Sequence, residues 1–204
     1  MCYSWRMEAL RDKYAENTRQ ALIDAALRLF ANRAYADLSA EELVRSAGLS
    51  RGALYHHFDG KRGLFEAVVD VLERQAAQRV QTAIVSVSDP FDRIDRGVGE
   101  FLAVCAEPDY RHIVLEQAPI ALGWQRFREL DLQHLGGLLL GAVRNLLDAR
   151  MIRPHPAELI AAAFYGALTE LPLTVAAADD PAAAREQAAS LVHDLVHGLA
   201  ADRS

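Results

Sequence analysis

The sequence predicts an all-α protein of about nine helices: an N-terminal three-helix head with a helix-turn-helix, then a C-terminal helical bundle. Three observations predict it. Apolar residues recur at helical spacing along the chain, and no alternating segment competes as a strand. The stretch SAEELVRSAGLSRGALYHHF, residues 39–58, reads as two short helices joined by a tight turn. All seven prolines lie beyond residue 88, where several of them start helices and mark a change of style in the chain.

Residues 1–14 are expected as a flexible arm, in which Arg6, Arg11 and Lys13 are offset by Glu8, Asp12 and Glu16. The first helix is expected over 15–33, on the spacing of Ala21, Leu22, Ala25, Ala26, Leu29 and Phe30. Ser39 opens the second helix with Glu42 three residues later. That is a capping box: the serine oxygen accepts the N–H of the third helical position, and the glutamate reaches back to the cap. Leu43, Val44 and Ala47 form the buried face. Gly48 ends the helix, because glycine takes the left-handed conformation without steric cost. Ser50 caps a third helix, Arg51 to His57, short enough to lie in a DNA major groove.

A fourth helix is expected over 61–85, with Leu64, Phe65, Val68, Val69 and Leu72 as its inner stripe. Lys61 at its start stands beside free helix N–H groups that suit a phosphate. The head is assigned residues 15–63 and the body 64–204, with SVSD at 86–89 as the break after the connecting helix. Asp89-Pro90 starts a fifth helix to about Ala106, Glu107-Pro108 opens a short sixth to about Gln117, and Pro119 begins or precedes a long seventh ending near Arg150. After MIRPHP an eighth helix covers 157–177, and Asp180-Pro181 starts a ninth ending near Leu199. Pro172 should bend the eighth. Gly136, Gly137 and Gly141 weaken the seventh by about 0.5–1 kcal/mol each relative to alanine, leaving room for a ligand or for close helix approach.

The third helix carries the chemistry. Its outward residues are Arg51, Gly52, Ala53, Tyr55, His56 and His57, followed at once by Lys61 and Arg62. No acid stands between Arg51 and Phe58. Arginine pairs with a guanine edge in a bidentate way, and small Gly52 and Ala53 permit close approach. Tyrosine, histidine and lysine donate to phosphates. An ordinary helical hairpin would share the caps and the turn, but a solvated face would normally carry glutamates as well.

The run from Thr18 to about Leu72, above all LSRGALYHHFDGKRGLFEAV, resembles the DNA-binding domain of the TetR family of bacterial transcriptional regulators. Tyr55, Phe58, Lys61 and Leu64 stand where that family's tyrosine, aromatic, lysine and leucine recur. The resemblance covers about a quarter of the chain; the rest resembles the family in being helical and of the right length. It implies backbone contacts from Thr18, beside candidate contacts from Ser39 and Ser50. It also implies a dimer closed by the last two helices of each subunit.

Charge agrees once it is divided. The total is −6, yet residues 1–63 hold 10 Lys+Arg against 8 Asp+Glu, while residues 64–204 hold 12 against 20. Local charge, not the total, meets phosphates. No uninterrupted apolar run approaches the ~18 residues that span a bilayer. MCYSWRMEALRDKYAEN lacks the features of a signal peptide, and Cys2 and Cys105 make no disulfide framework. A soluble, cytoplasmic protein with no membrane partner is expected.

In the body, the candidate lining of a small-molecule pocket is Phe101, Cys105, Tyr110, His112, Leu115, Trp124, Phe127, His134, Leu138 and Tyr165. Plain core packing would place the same residue types there. The ninth helix offers a dimer stripe of Ala188, Leu191, Val192, Leu195 and Leu199. His193 and His197 stand four apart, but no third ligand is evident, so no metal is expected. No nucleophile elbow, phosphate loop, HExxH or cysteine cluster points to an enzyme, and no cofactor is implied. The reading is a homodimeric repressor released from an inverted-repeat operator on double-stranded DNA by a small molecule, with the sixth helix pressing on the fourth. The alternative is a ligand-binding scaffold of the same fold without specific DNA binding.

Overall fold

The computed structural model describes residues 2–201, with side chains from Arg11 onward. Among these residues the chain is helical almost throughout. In order run α1 (Cys2–Phe30), α2 (Ala40–Ser46), α3 (Arg51–His57), α4 (Gly60–Ile84), α5 (Pro90–Cys105), α6 (108–122), α7 (124–148), α8 (Ala157–Ala176) and α9 (Pro181–His197). A 3-10 turn, Tyr35–Asp37, precedes α2. No strand forms among the described residues, and an isolated antiparallel bridge pairs Ile152 with Ala200.

The caps are those the sequence specifies. Ser39 Oγ accepts from the Glu42 N–H at 3.2 Å, and Glu42 Oε2 accepts from the Ser39 N–H at 2.9 Å. Ser50 Oγ accepts from the Ala53 N–H, and Gly48 takes φ +68°. Asp89 and Asp180 each accept two N–H groups at the starts of α5 and α9.

One expectation needs correction, and another is narrowed. The segment expected as a flexible arm is the first part of α1. Residues 2–14 contain no proline or glycine, and Ala, Leu, Glu, Arg and Lys all favour a helix. Arg6 and Glu8, weighed as arm charges, lie outside the described side chains. Next, of the two readings of Pro119, it precedes α7 and does not begin it. α6 starts as Pro108–Tyr110, widens into a π-turn over Arg111–Gln117, and closes as Ala118–Leu122. Pro119 falls in the first turn after the widened stretch, where its missing N–H is tolerated. The break comes at Gly123, whose φ of +82° a side chain would resist. α7 then runs on through a second π-turn at Leu132–Gly136.

α8 stands apart from the other helices in its composition. By length and composition alone it is apolar enough to cross a membrane, with a mean hydropathy of 1.5, and little of it is buried. Glu170 and Pro172 interrupt the run of apolar residues without lowering its average enough. The helix continues through Pro172, which is buried. Its outward face shows Leu159, Ala162, Ala163, Gly166 and Leu173.

The chain divides into two compact units. One comprises residues up to Val71 together with His112–Trp124; the other comprises Leu72–Arg111 and the chain from Gln125. α4 and α6 therefore contribute to both. The first unit buries Leu22, Ala26, Phe30, Leu43, Leu54, Leu64, Phe65 and Val68, and also Ile113, Val114, Ala118 and Leu122 from α6. The second has one core around Val143, Leu146, Ile152 and Ile160 and another around Leu102, Val175 and Ala188.

The capping box makes the head sensitive to acid. The Ser39 N–H, then the Arg33 guanidinium, hold the Glu42 carboxyl down at about 2, below its ordinary 4.5. A carboxylate whose folded pKa is depressed stabilises above its unfolded pKa, and the contribution is lost as pH falls from about 4.5 towards about 2. Thermal melts across that range should show a fall in melting temperature that Glu42→Gln flattens. Ser39→Ala should cost about 1 kcal/mol of stability at neutral pH.

Candidate functional site

α2 and α3 hold their geometry by caps at both N-termini and by burial of Leu43, Val44 and Leu54. What remains on the outside of α3 is Arg51, Gly52, Tyr55 and His56, all exposed, with Ala53 and His57 half-buried. Tyr55 keeps 57% of its surface exposed, which is much for a residue with a large apolar ring. Arg51 lies against Glu41 of α2, Nη1 to Oε1 3.1 Å, with both side chains more than half exposed. So weakly held a partner is readily exchanged for another acceptor. The His56 and His57 rings meet edge to face at 4.8 Å.

Two of the predicted phosphate donors already have protein partners, and one of them, Lys61, points into the packed turn. Lys61 Nζ donates to the Tyr35 and Leu38 carbonyls, both at 2.9 Å, and sits 4.0 Å above the Tyr35 ring. The carbonyls of the turn between α1 and α2 need donors once packed, and the ammonium supplies them. The Thr18 hydroxyl donates to the Tyr14 carbonyl one turn back in α1. Ser39 is likewise engaged on both sides by Glu42. Ser50 Oγ accepts from Ala53.

The same unit ties α6 to the head. The Tyr35 N–H donates to Gln117 Oε1, and Arg62 Nη2 donates to the Leu122 carbonyl at 2.9 Å. Gln117 is buried, and its Nε2 has no hydrogen-bond partner among the described residues.

In the second unit, polar groups gather inside the bundle. Tyr110 donates to Glu73 Oε1 at 3.3 Å, and Glu73 is 1% exposed. Cys105 lies in the same field: burial, then the charges of Glu73 and Asp131, push its thiol well up. Burial and the same two acids raise the Tyr110 phenol as well. Asp131 is itself raised by burial, against the opposing pull of the Tyr165 hydroxyl, His134 and Arg128. Tyr165 Oη is sealed from water, with the Arg128 guanidinium 5.4 Å from the centre of its ring. Buried titratable groups held off their ordinary pKa values cluster at functional sites.

Comparison with known proteins identifies the scaffold. Residues 22–68 match the family described as "Bacterial regulatory proteins, tetR family". Residues 91–199, more than half of the chain, match "Tetracyclin repressor-like, C-terminal domain". The chain belongs to the TetR family. Over 55 residues it is 46% identical to the HTH-type transcriptional regulator SrpR of Pseudomonas putida, covering 27% of this chain and 26% of that one. A TetR-family transcriptional regulator from Pectobacterium atrosepticum superposes with TM-score 0.78 at 28% identity, over 94% of this chain and 98% of that one. FadR from Bacillus subtilis, solved in complex with stearoyl-CoA, shares the fold at TM-score 0.68 and 17% identity, over 85% and 96% of the two chains. The alignments to the first curated relatives span about a quarter to two fifths of their lengths.

Within this TetR scaffold the expected pocket residues divide. Cys105, Tyr110, Phe127, His134 and Tyr165 all belong to the second unit. Of these, Cys105 and Tyr110 share the field of Glu73 and Asp131, while His134 and Tyr165 interact with Asp131. Phe127 is buried, and Leu138 is half-buried. Phe101 packs into the apolar core around Leu102, Val175 and Ala188. His112, Leu115 and Trp124 fall in the first unit, where His112 Nδ1 meets Glu116 at 3.0 Å. Glu73 and Asp131 were missed: each stands among other charges on its helix, so nothing in its letter signals burial. A separate hollow of about 380 Å³, counting its open mouth, is lined by Ile94 of α5, Leu139 and Val143 of α7, Phe164 of α8 and Val192 of α9. Its lining is wholly apolar and offers no polar handle.

Two outcomes follow for variants. Lys61→Met should lower the melting temperature of the head, because two turn carbonyls lose their donor. A loss of DNA affinity without any loss of stability would return Lys61 to the DNA surface. Asp131→Asn should raise stability at neutral pH and reduce its decline with rising pH. A carboxyl whose folded pKa is raised contributes stability below its unfolded pKa, and that is lost as pH rises through the folded value. Urea melts at several pH values measure both effects.

Proposed function

We propose that this chain is a sequence-specific, homodimeric DNA-binding repressor released from an inverted-repeat operator by a small molecule. The observation that carries the reading is the exposed, acid-free face of α3, with Arg51, Gly52, Tyr55 and His56 outward on a capped helix. Arg51 reads a base edge; Tyr55, His56, His57 and the Ser50 hydroxyl hold phosphates. Glu41 competes with DNA for Arg51, which favours release.

The effector site in this reading is the polar interior of the second unit. An apolar molecule with hydrogen-bonding groups suits Tyr110, Asp131 and Tyr165, with Phe127 nearby in sequence on α7. That FadR, of the same fold, holds stearoyl-CoA supports a body that can open around a ligand. α6 starts in the body and ends against the head through Gln117 and Leu122, and α4 carries Arg62. An effector shifts operator affinity by as much as it discriminates between two positions of these helices.

Self-association is supported by the faces α8 and α9 leave outward. Leu159 is 67% exposed, and Leu191 and Leu195 are about half exposed. Ala188 and Val192, placed in the interface by the sequence, are instead buried in this chain's own core, and Leu199 packs beside Ile152 and Ile160. They stand three or four residues from Leu191 and Leu195, on the neighbouring face of the helix. An exposed apolar stripe of this kind suits a second copy, whose two-fold axis would match an inverted repeat.

Selection of genomic fragments on immobilised protein, followed by gel shift, tests the reading; failure to enrich any sequence would favour the scaffold alternative. Arg51→Ala should weaken the selected operator about tenfold to a hundredfold and relax preference at one position per half-site. Glu41→Gln should tighten binding several-fold. Leu191→Glu with Leu195→Glu should sediment as a monomer with much weaker operator binding, and an intact dimer would take α9 out of the interface.

A further inference from the structure

Independently of that reading, α5 and α9 bring together three side chains that DNA binding does not use. Asp95 lies one turn after Phe91 on α5, and His193 and His197 lie one turn apart on α9. His193 Nδ1 approaches Asp95 Oδ2 at 2.8 Å, and His197 Nε2 approaches the same oxygen at 3.5 Å. One donor atom from each residue lies within 4.8 Å of the other two. The His193 and His197 rings are 3.9 Å apart, and Phe91 stacks on His197 at 4.6 Å with 28° between planes, which fixes that imidazole's orientation.

A plain hydrogen bond accounts for part of this arrangement. It pairs His193 with Asp95 and leaves His197 Nε2 sealed from water, without a hydrogen-bond partner among the described residues. We propose that Asp95, His193 and His197 form a binding site for one divalent transition-metal ion of the zinc type. Two imidazoles and one carboxylate suit zinc and its neighbours; magnesium and calcium prefer oxygen ligands throughout. Tetrahedral zinc with bonds of roughly 2.0–2.1 Å sets its ligand atoms roughly 3.3–3.4 Å apart. Closing the widest observed spacing, at most 4.8 Å, to that one takes side-chain movements of up to about 1.5 Å. A water takes the fourth position. A ligating imidazole nitrogen must carry no proton, so affinity should rise with pH.

The ion would cross-link α5 to α9, which already pack together through Val98, Phe101, Ala184 and Ala188. His193 and His197 stand two residues beyond Leu191 and Leu195, roughly 200° round the helix. The site therefore lies away from the apolar stripe and does not compete with a second copy.

The test uses the full chain without an affinity tag, stripped with a chelator and titrated with zinc under chelator competition, with cobalt as the spectroscopic probe. One ion per chain is expected, with a tetrahedral cobalt spectrum and a melting temperature raised by saturating zinc. His193→Ala, His197→Ala and Asp95→Asn should each weaken binding at least ~10-fold, the last without disturbing the shape of the site. His56→Ala with His57→Ala should leave it unchanged. The proposal is overturned if no ion stays bound after dialysis, or if zinc affinity survives both His193→Ala and Asp95→Asn. An octahedral cobalt spectrum, the sign of a solvated surface ion, would overturn it equally. DNA enters none of these measurements, so they stand or fall apart from the repressor reading.

Discussion

The head depends on a single short turn. Residues 35–38 form a corner in which Leu38 is buried and Tyr35 half-buried, and a backbone polar group shielded from water without a partner costs free energy comparable to a lost hydrogen bond. Lys61 supplies the donors for two carbonyls, and Gln117 accepts from the Tyr35 N–H. The Tyr35 ring lies against Phe30 and Phe65, with centroids 6.1 and 4.9 Å away. One residue thus gathers α1, α4 and α6, and the turn it belongs to leads directly into α2. Because α3 hangs between α2 and α4, the direction in which it presents Arg51 follows from this corner. The same corner explains why a lysine beside a recognition helix, an obvious phosphate donor by its letter, has inward partners instead.

The body handles charge differently. Its surplus of acid is mostly solvated, but Glu73 is buried and Asp131 half-buried, with Tyr110, Tyr165 and Cys105 in their field. Burial disfavours the charged carboxylate, and a bundle optimised for stability alone would fill this space with leucine. Ionisable groups retained there are a pattern that clusters at functional sites. Both π-turns adjoin this region in sequence, one directly after Tyr110 and one directly after Asp131. A π-turn shifts helical register by one residue, so it turns side chains on either side of it to new directions.

α9 shows how one helix serves three environments. Ala188, Val192 and Val196 face its own core, Leu191 and Leu195 face outward, and His193 and His197 meet Asp95. Steps of roughly 100° per residue make these three stripes distinct, although they interleave along one short stretch of chain.

The sequence by itself determined whatever is encoded within one turn of helix. The Ser39–Glu42 box, the Ser50 cap, the Gly48 stop, the α3 limits at Arg51 and His57, and the proline starts of α5 and α9 are local hydrogen-bonding and steric matters. All were legible, and so was the acid-free face of α3, since side-chain direction in a capped helix follows from its period. Tertiary structure alone decided what depends on distant partners. Whether Lys61 faces phosphate or the Tyr35 carbonyl is set across 26 residues, and whether His193 and His197 have a third companion is set across 98. Whether Pro119 starts a helix or rides inside one rests on a π-turn. Burial of Glu73 and Asp131, and the division of the α9 stripe between core and surface, belong to the same class. Periodicity assigns a residue to a face, but only packing assigns that face a neighbour.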